Sequence, residues 1–106
     1  MEYKIEKEFG TKWVKGLRSR KFKKGKFKLY EPTTDCHCAL GVAAVVNDFK
    51  FTKNGILAVK ENGHLYLYDD EVVSMNLYAK ITEMNDHDDL PFRKIADWIE
   101  ANVEFI

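Results

Sequence analysis

No apolar run in this sequence approaches the roughly 20 residues that a transmembrane helix needs. The longest, Ala39 to Val46 in "CALGVAAVV", has the length of a core helix. The opening "MEYKIEKEFG" is charged and has no apolar stretch of the secretory-signal kind. Cysteine is scarce, at two residues, which is far short of a disulfide scaffold. A reducing, cytoplasmic setting is therefore expected. A length of 106 residues leads us to expect one domain, spanning 1–106. Internal repeats, low-complexity segments and linkers are lacking. So are a phosphate loop, a dinucleotide fingerprint, a Ser-His-Asp order and a kinase motif. What is present is apolar: 45% hydrophobic residues, with seven Phe, five Tyr and two Trp, exclude a disordered chain.

Net charge is zero but unevenly laid out. Residues 1–30 hold 11 Lys and Arg against three Glu, and residues 31–106 hold six against 14 Asp and Glu, so the two parts carry +8 and −8. Either the parts pair with each other and with water, or a basic patch is left for phosphates or an acidic partner. The charge peaks in "SRKFKKGKFKLYEP". Arg18, Arg20, Lys21, Lys23, Lys24, Lys26 and Lys28, interleaved with Phe22 and Phe27, have the composition of a phosphate-binding strip whose aromatics can stack on bases. Alternatively Phe22, Phe27 and Leu29 pin the stretch to the body while the lysines stay wet. Docking on an acidic protein is a third reading, in which opposite charge raises the association rate.

Apolar spacing predicts an α+β domain of about four helices and one hairpin. Residues 1–9 fit either a strand (Tyr3, Ile5) or a helix (Ile5, Phe9). Thr11 caps a first helix with Trp13, Val14 and Leu17 on its apolar stripe. Thr33, Thr34 or Asp35 caps a second, running through "CHCALGVAAVV" to about Asn47. Gly41 inside it marks a close approach by another element, since glycine there costs about 1 kcal/mol relative to alanine. Residues 55–60 and 64–68 read as paired strands around an Asn62-Gly63 type I′ turn. Their alternation sends Leu65 and Leu67 to the core and Tyr66 and Tyr68 outward, near Tyr78. Asp69 or Asp70 caps a third helix with Val72, Val73 and Leu77, and "AKITEMND" extends it or adds a turn. A last helix, capped by Asp88 or Asp89 with Pro91 in its first turn, carries Phe92, Ile95, Ala96, Ile99 and Val103. The expected core is Trp13, Leu17, Leu40, Val42, Val45, Val46, Phe92, Ile95, Ile99 and Val103.

Both cysteines flank a histidine in "DCHCAL". A cysteine at a helix start has its thiolate favoured by the helix dipole, so Cys36 or Cys38 with His64 as base, oriented by Asn85 or Asp86, is a candidate hydrolase dyad. No glycine-rich oxyanion turn precedes it, and Asp35 opposes thiolate formation. Cys36, Cys38, His64 and His87, with His37 to spare, could hold zinc, but the C-x-C spacing is not that of a zinc knuckle. "DHDD" after Asn85 suggests calcium or magnesium yet lacks the glycine and glutamate of an EF-hand loop, and reads more simply as capping and turn chemistry. We therefore expect both cysteines to be structural, Cys38 packed on its helix and Cys36 nearer the exposed cap, with no metal and no cofactor.

Three segments, "WVKGLRSRKFKKGKFKL", "CALGVAAVV" and "ITEMNDHDDLPFRKIADWIEANV", together resemble a group of small proteins of tailed phages and prophages. The matching positions are Trp13, Leu17, Lys21, Phe22, Gly25, Cys38, Leu40, Gly41, Val42, Asn85, Asp86, Phe92, Ile95, Ala96, Asp97, Ile99 and Glu100. Ala39 departs from the group's paired cysteines, and residues 50–68 read as a hairpin where relatives often carry a helix. The resemblance implies a phage accessory protein acting on a host component in the host cytoplasm. The resulting expectation is a non-enzymatic protein that binds a host protein or a nucleotide or phosphate ligand, not a membrane, through Arg18, Arg20, Lys21, Lys23, Lys24, Lys26 and Lys28. The runner-up is a small Cys/His-dependent or metal-dependent hydrolase.

Overall fold

The ambiguous N-terminal residues use both of their periodicities. In the computed structural model, which describes residues 2–60 and 65–106, Tyr3–Ile5 form strand β1 and Lys7–Arg18 form helix α1. The helix therefore begins a turn before Thr11, with Glu6 at its N-cap. Phe9, Trp13, Val14 and Leu17 recur at helical spacing and are buried.

The basic stretch that follows is folded back on the cysteine motif. Strands β2 (Lys23–Lys24), β3 (Tyr30–Glu31) and β4 (Cys36–His37) make a three-stranded sheet of order β2-β4-β3. β2 runs parallel to β4 and β3 antiparallel to it. This corrects the expected second helix: Thr33, Thr34 and Asp35 lie in a turn, and helix α2 spans only Ala39–Val46. Asp35 has a left-handed backbone, φ 54°, which a continuing helix cannot accommodate. The backbone of Cys36 and His37 is satisfied by strands on either side instead.

Strands β5 (Lys50–Phe51) and β6 (Ala58–Val59) pair antiparallel. The expected hairpin follows in shortened form: Val59 bridges Tyr66, the Lys60 amide donates to the Leu65 carbonyl at 2.8 Å, and the Leu67 amide to Ala58 at 3.0 Å. Its turn pair Asn62-Gly63, and His64, lie outside the described residues. Gly55 and Ile56, expected in the strand, sit in the preceding turn. Helix α3 (Met75–Thr82) is capped by Ser74, whose Oγ accepts from the Leu77 amide at 3.3 Å. Val72 and Val73 thus precede the helix, while Asp70 accepts from the Met75 amide at 3.0 Å. A π-helical turn, Glu83–His87, extends α3, and Phe92–Asn102 form α4 behind Pro91. Val103, expected on that helix, opens β7 (Val103–Phe105), which lies parallel to β1. Asp88 and Asp89 do not cap α4.

The core gathers Trp13, Leu17, Leu40, Val42, Ile95, Ile99 and Val103, as expected, and adds Leu67, Val73, Leu77 and Ile81. Val46 and Phe92 are only partly buried, and Val45 is 38% exposed because α2 turns that side to solvent. Gly41 is where the backbone of Leu29 comes in: a Cβ there would collide with the Leu29 carbonyl. Among the described residues no helix is long and apolar enough to cross a membrane.

Candidate functional site

Most of the basic segment is spent on the acidic part of the same chain. Arg18, in the last turn of α1, reaches Asp97 at 2.8 Å and also Glu100, both on α4. Lys24 and Lys26 converge on Asp89 Oδ1, at 2.8 and 3.4 Å. Lys28 pairs with Glu31 at 3.0 Å. The Arg18 pairs follow from the packing of α1 on α4, the Asp89 pairs join residues more than 60 apart in sequence, and Lys28–Glu31 is local, three residues apart. The carboxyls of Asp89 and Glu31 are held below the ordinary carboxylate range, in each case first by hydrogen bonds from these lysines.

Arg20, Lys21 and Lys23 remain. All three are exposed, and among the described residues none of them forms an ion pair. Phe27 joins them on the surface. Of the two alternatives for the aromatics, pinning the loop to the body holds for Phe22, which packs on His37, and for buried Leu29, but not for Phe27, which is 73% exposed. Two features hold Phe27 outward. Its backbone is left-handed, φ 70°, and its amide donates to Asp86 Oδ1 at 3.2 Å. Large hydrophobic side chains rarely take that conformation.

Asn85 joins this surface to the core. It is 1% exposed, its Oδ1 accepts from the Ala39 amide at 3.0 Å, and its Nδ2 donates to the Gly25 carbonyl at 2.9 Å and to Asp86 at 2.8 Å. Its own carbonyl accepts from Lys24 Nζ at 3.0 Å. Sequence reading weighed Asn85 as an imidazole orienter or a turn residue. Nothing local signals that it caps a helix 46 residues upstream.

The cysteines do not form a reactive pair. Cys38 stands at the N-cap of α2, where the amides of Leu40 and Gly41 favour a thiolate, yet burial prevails and pushes its thiol up to about 11. Cys36 is half-buried on β4, with its thiol donating to the Thr34 carbonyl at 3.6 Å. It lies on a strand, not at a helix cap. His64, the candidate base and metal ligand, is outside the described residues. His87 is exposed at the end of the π-helical turn. Among the described residues no three His, Cys, Asp or Glu side chains converge as metal ligands.

His37 instead sits in an aromatic enclosure, with ring centroids 4.7 Å from Tyr30, 5.2 Å from Phe22 and 5.7 Å from Phe51. Its Nδ1 is buried without a hydrogen-bond partner, and desolvation depresses its pKa although Asp35 pulls the other way. The expected alternation holds in part: Leu67 is buried and Tyr68 is 40% exposed, but Leu65 and Tyr66 are both half-buried, and Tyr66 and Tyr78 flank Tyr68 at 5.3 and 6.4 Å.

Concave surface lies elsewhere. A cleft of about 270 Å³ between α1 and the segment Asn47 to Phe49 is lined by Phe9 and Phe49, with Lys60 Nζ 5.1 Å from the Phe49 ring centroid. Two shallower ones lie at residues 52–57 and beside β1. No residue of the basic segment lines any of the three. No family model matches this chain, and neither a curated protein nor a solved structure matches it.

Proposed function

We propose that the protein works by binding, as an accessory protein of the tailed-phage type, and that its contact surface is drawn from the exposed Arg20, Lys21, Lys23 and Phe27. The observation that carries this is Phe27, held 73% exposed between lysines by a strained backbone and a bond to Asp86. An exposed aromatic amid cations has the composition of an interface anchor. Arg18, Lys24, Lys26 and Lys28 serve first to fasten the loop. Between the two partner classes, a host protein bearing an acidic surface fits better than a nucleotide or phosphate ligand. Small-molecule sites are concave and bury most of their ligand, whereas Arg20, Lys21, Lys23 and Phe27 line none of the three clefts described. A hydrolase reading draws no support from a Cys38 thiol pushed up to about 11.

Capture from host lysate, with and without nuclease, tests the reading when run beside Phe27→Ala and an Arg20→Glu/Lys21→Glu/Lys23→Glu variant. A nuclease-resistant partner that both variants lose supports it. Capture that survives in both variants, or vanishes with nuclease, rejects it.

A further inference from the structure

The two lysines that converge on Asp89 make an oxyanion subsite that the chain fills with its own carboxylate. Lys24 Nζ is 2.8 Å and Lys26 Nζ 3.4 Å from the same oxygen, Asp89 Oδ1. Lys24 is braced independently, because its ammonium also donates to the buried Asn85 carbonyl at 3.0 Å. That bond does not involve Asp89. Phe27 is likewise held by Asp86 and not by Asp89. Lys24 is therefore anchored apart from Asp89, while Lys26, 38% exposed, meets Asp89 with no second bond among the described residues.

Asp89 has the marks of a removable part. Its side chain is 64% exposed, so water and salt compete for it. Its backbone has φ 53°, a left-handed conformation that Asp and Asn adopt more readily than other side chains do. It lies in the link between the π-helical turn and α4, exposed like Asp88 before it.

We propose that Asp89 is an internal stand-in for an aspartate or glutamate of the partner, which displaces it from Lys24 and Lys26 while Phe27 takes an apolar side chain beside that carboxylate. This rests on the binding reading above and names its ligand chemistry: an acidic segment of a protein with an apolar residue among its carboxylates. The resting pair then acts as a mild brake. Apparent affinity is reduced by the fraction of chains whose lysines are occupied. For an exposed pair that is only modestly favoured closed, release amounts to about a twofold to fivefold gain.

Asparagine is the right substitution, because it tolerates left-handed backbone and removes only the charge. The measurement is fluorescence anisotropy of a labelled glutamate-rich peptide with one central leucine, on the full chain. Asp89→Asn should bind about twofold to fivefold tighter than wild type. Asp88→Asn, with the same change of net charge next door, should bind as wild type does. In a Lys24→Gln/Lys26→Gln background, Asp89→Asn should have no effect. An equal gain from Asp88→Asn and Asp89→Asn, or none from Asp89→Asn, overturns the stand-in. Displacement of the peptide by a nucleoside diphosphate at equal concentration overturns the assignment to a protein carboxylate. Failure of the binding reading looks different: Arg20→Glu/Lys21→Glu/Lys23→Glu would then bind the peptide as tightly as wild type.

Discussion

The side chain of Asn85 caps α2 by accepting the Ala39 amide at 3.0 Å, although Cys38 occupies the N-cap position and offers no side-chain cap bond. One buried amide thus ties the π-helical turn to the helix and, through the Gly25 carbonyl, to the basic loop. Asn85→Ala removes the cap and strands the buried Ala39 amide and the partly buried Gly25 carbonyl. A loss of about 2–4 kcal/mol is expected in urea unfolding. Asn85→Asp keeps the acceptor but loses the Gly25 bond and places a second carboxylate against Asp86, 2.8 Å away. It should also destabilise, and less so in acid. A loss below about 0.5 kcal/mol for Asn85→Ala, the range of ordinary surface changes, would contradict this role.

Gly41→Ala separates helix propensity from packing. Propensity alone favours alanine by about 1 kcal/mol. The Leu29 carbonyl occupies the space that the new methyl needs, so the variant should instead lose at least about 2 kcal/mol. The midpoint of chemical denaturation decides the sign.

His37 should make stability fall in mild acid. Its folded pKa is depressed below the ordinary 6.5, so the unfolded chain takes up the proton more readily. The contribution is complete above that value, is lost as pH falls through it, and levels off below the depressed folded pKa. The neighbouring rings of Phe22, Tyr30 and Phe51 are uncharged there, and only Asp35 opposes the effect. Melting temperature followed from pH 7.5 to 5 should decline in wild type and flatten in His37→Phe. Parallel profiles would assign the slope to other groups.

The cysteines should separate by accessibility. At neutral pH, alkylation is expected at half-buried Cys36, while Cys38, buried and with its thiol near 11, reacts only as the chain unfolds. Mass spectrometry of the native protein and of Cys36→Ser reads both sites. Cys38→Ser should leave partner binding unchanged. Fast, selective modification of native Cys38 would revive the nucleophile.

Where a long apolar repeat or a special residue type carried the information, sequence was enough. Phe92, Ile95, Ala96 and Ile99 mark α4 because their helical spacing over eight residues places them on one face toward the core. Gly41 announced a close approach, since only a missing side chain explains a glycine in so apolar a helix. The class, α+β, and the concentration of basic residues ahead of Pro32 were legible in the same way.

Tertiary structure alone decided the rest. Cys36–His37 became a strand because two-residue pairings with β2 and β3 satisfy its backbone, and pairings so short leave no periodicity to read. Phe27 points outward because of a positive φ fixed by Asp86, 59 residues away. Which lysines face a carboxylate and which stay exposed follows from the packing of the π-helical turn and α4 against the loop. Composition sets how much charge a chain carries. Only the folded arrangement determines which of those charges meet one another.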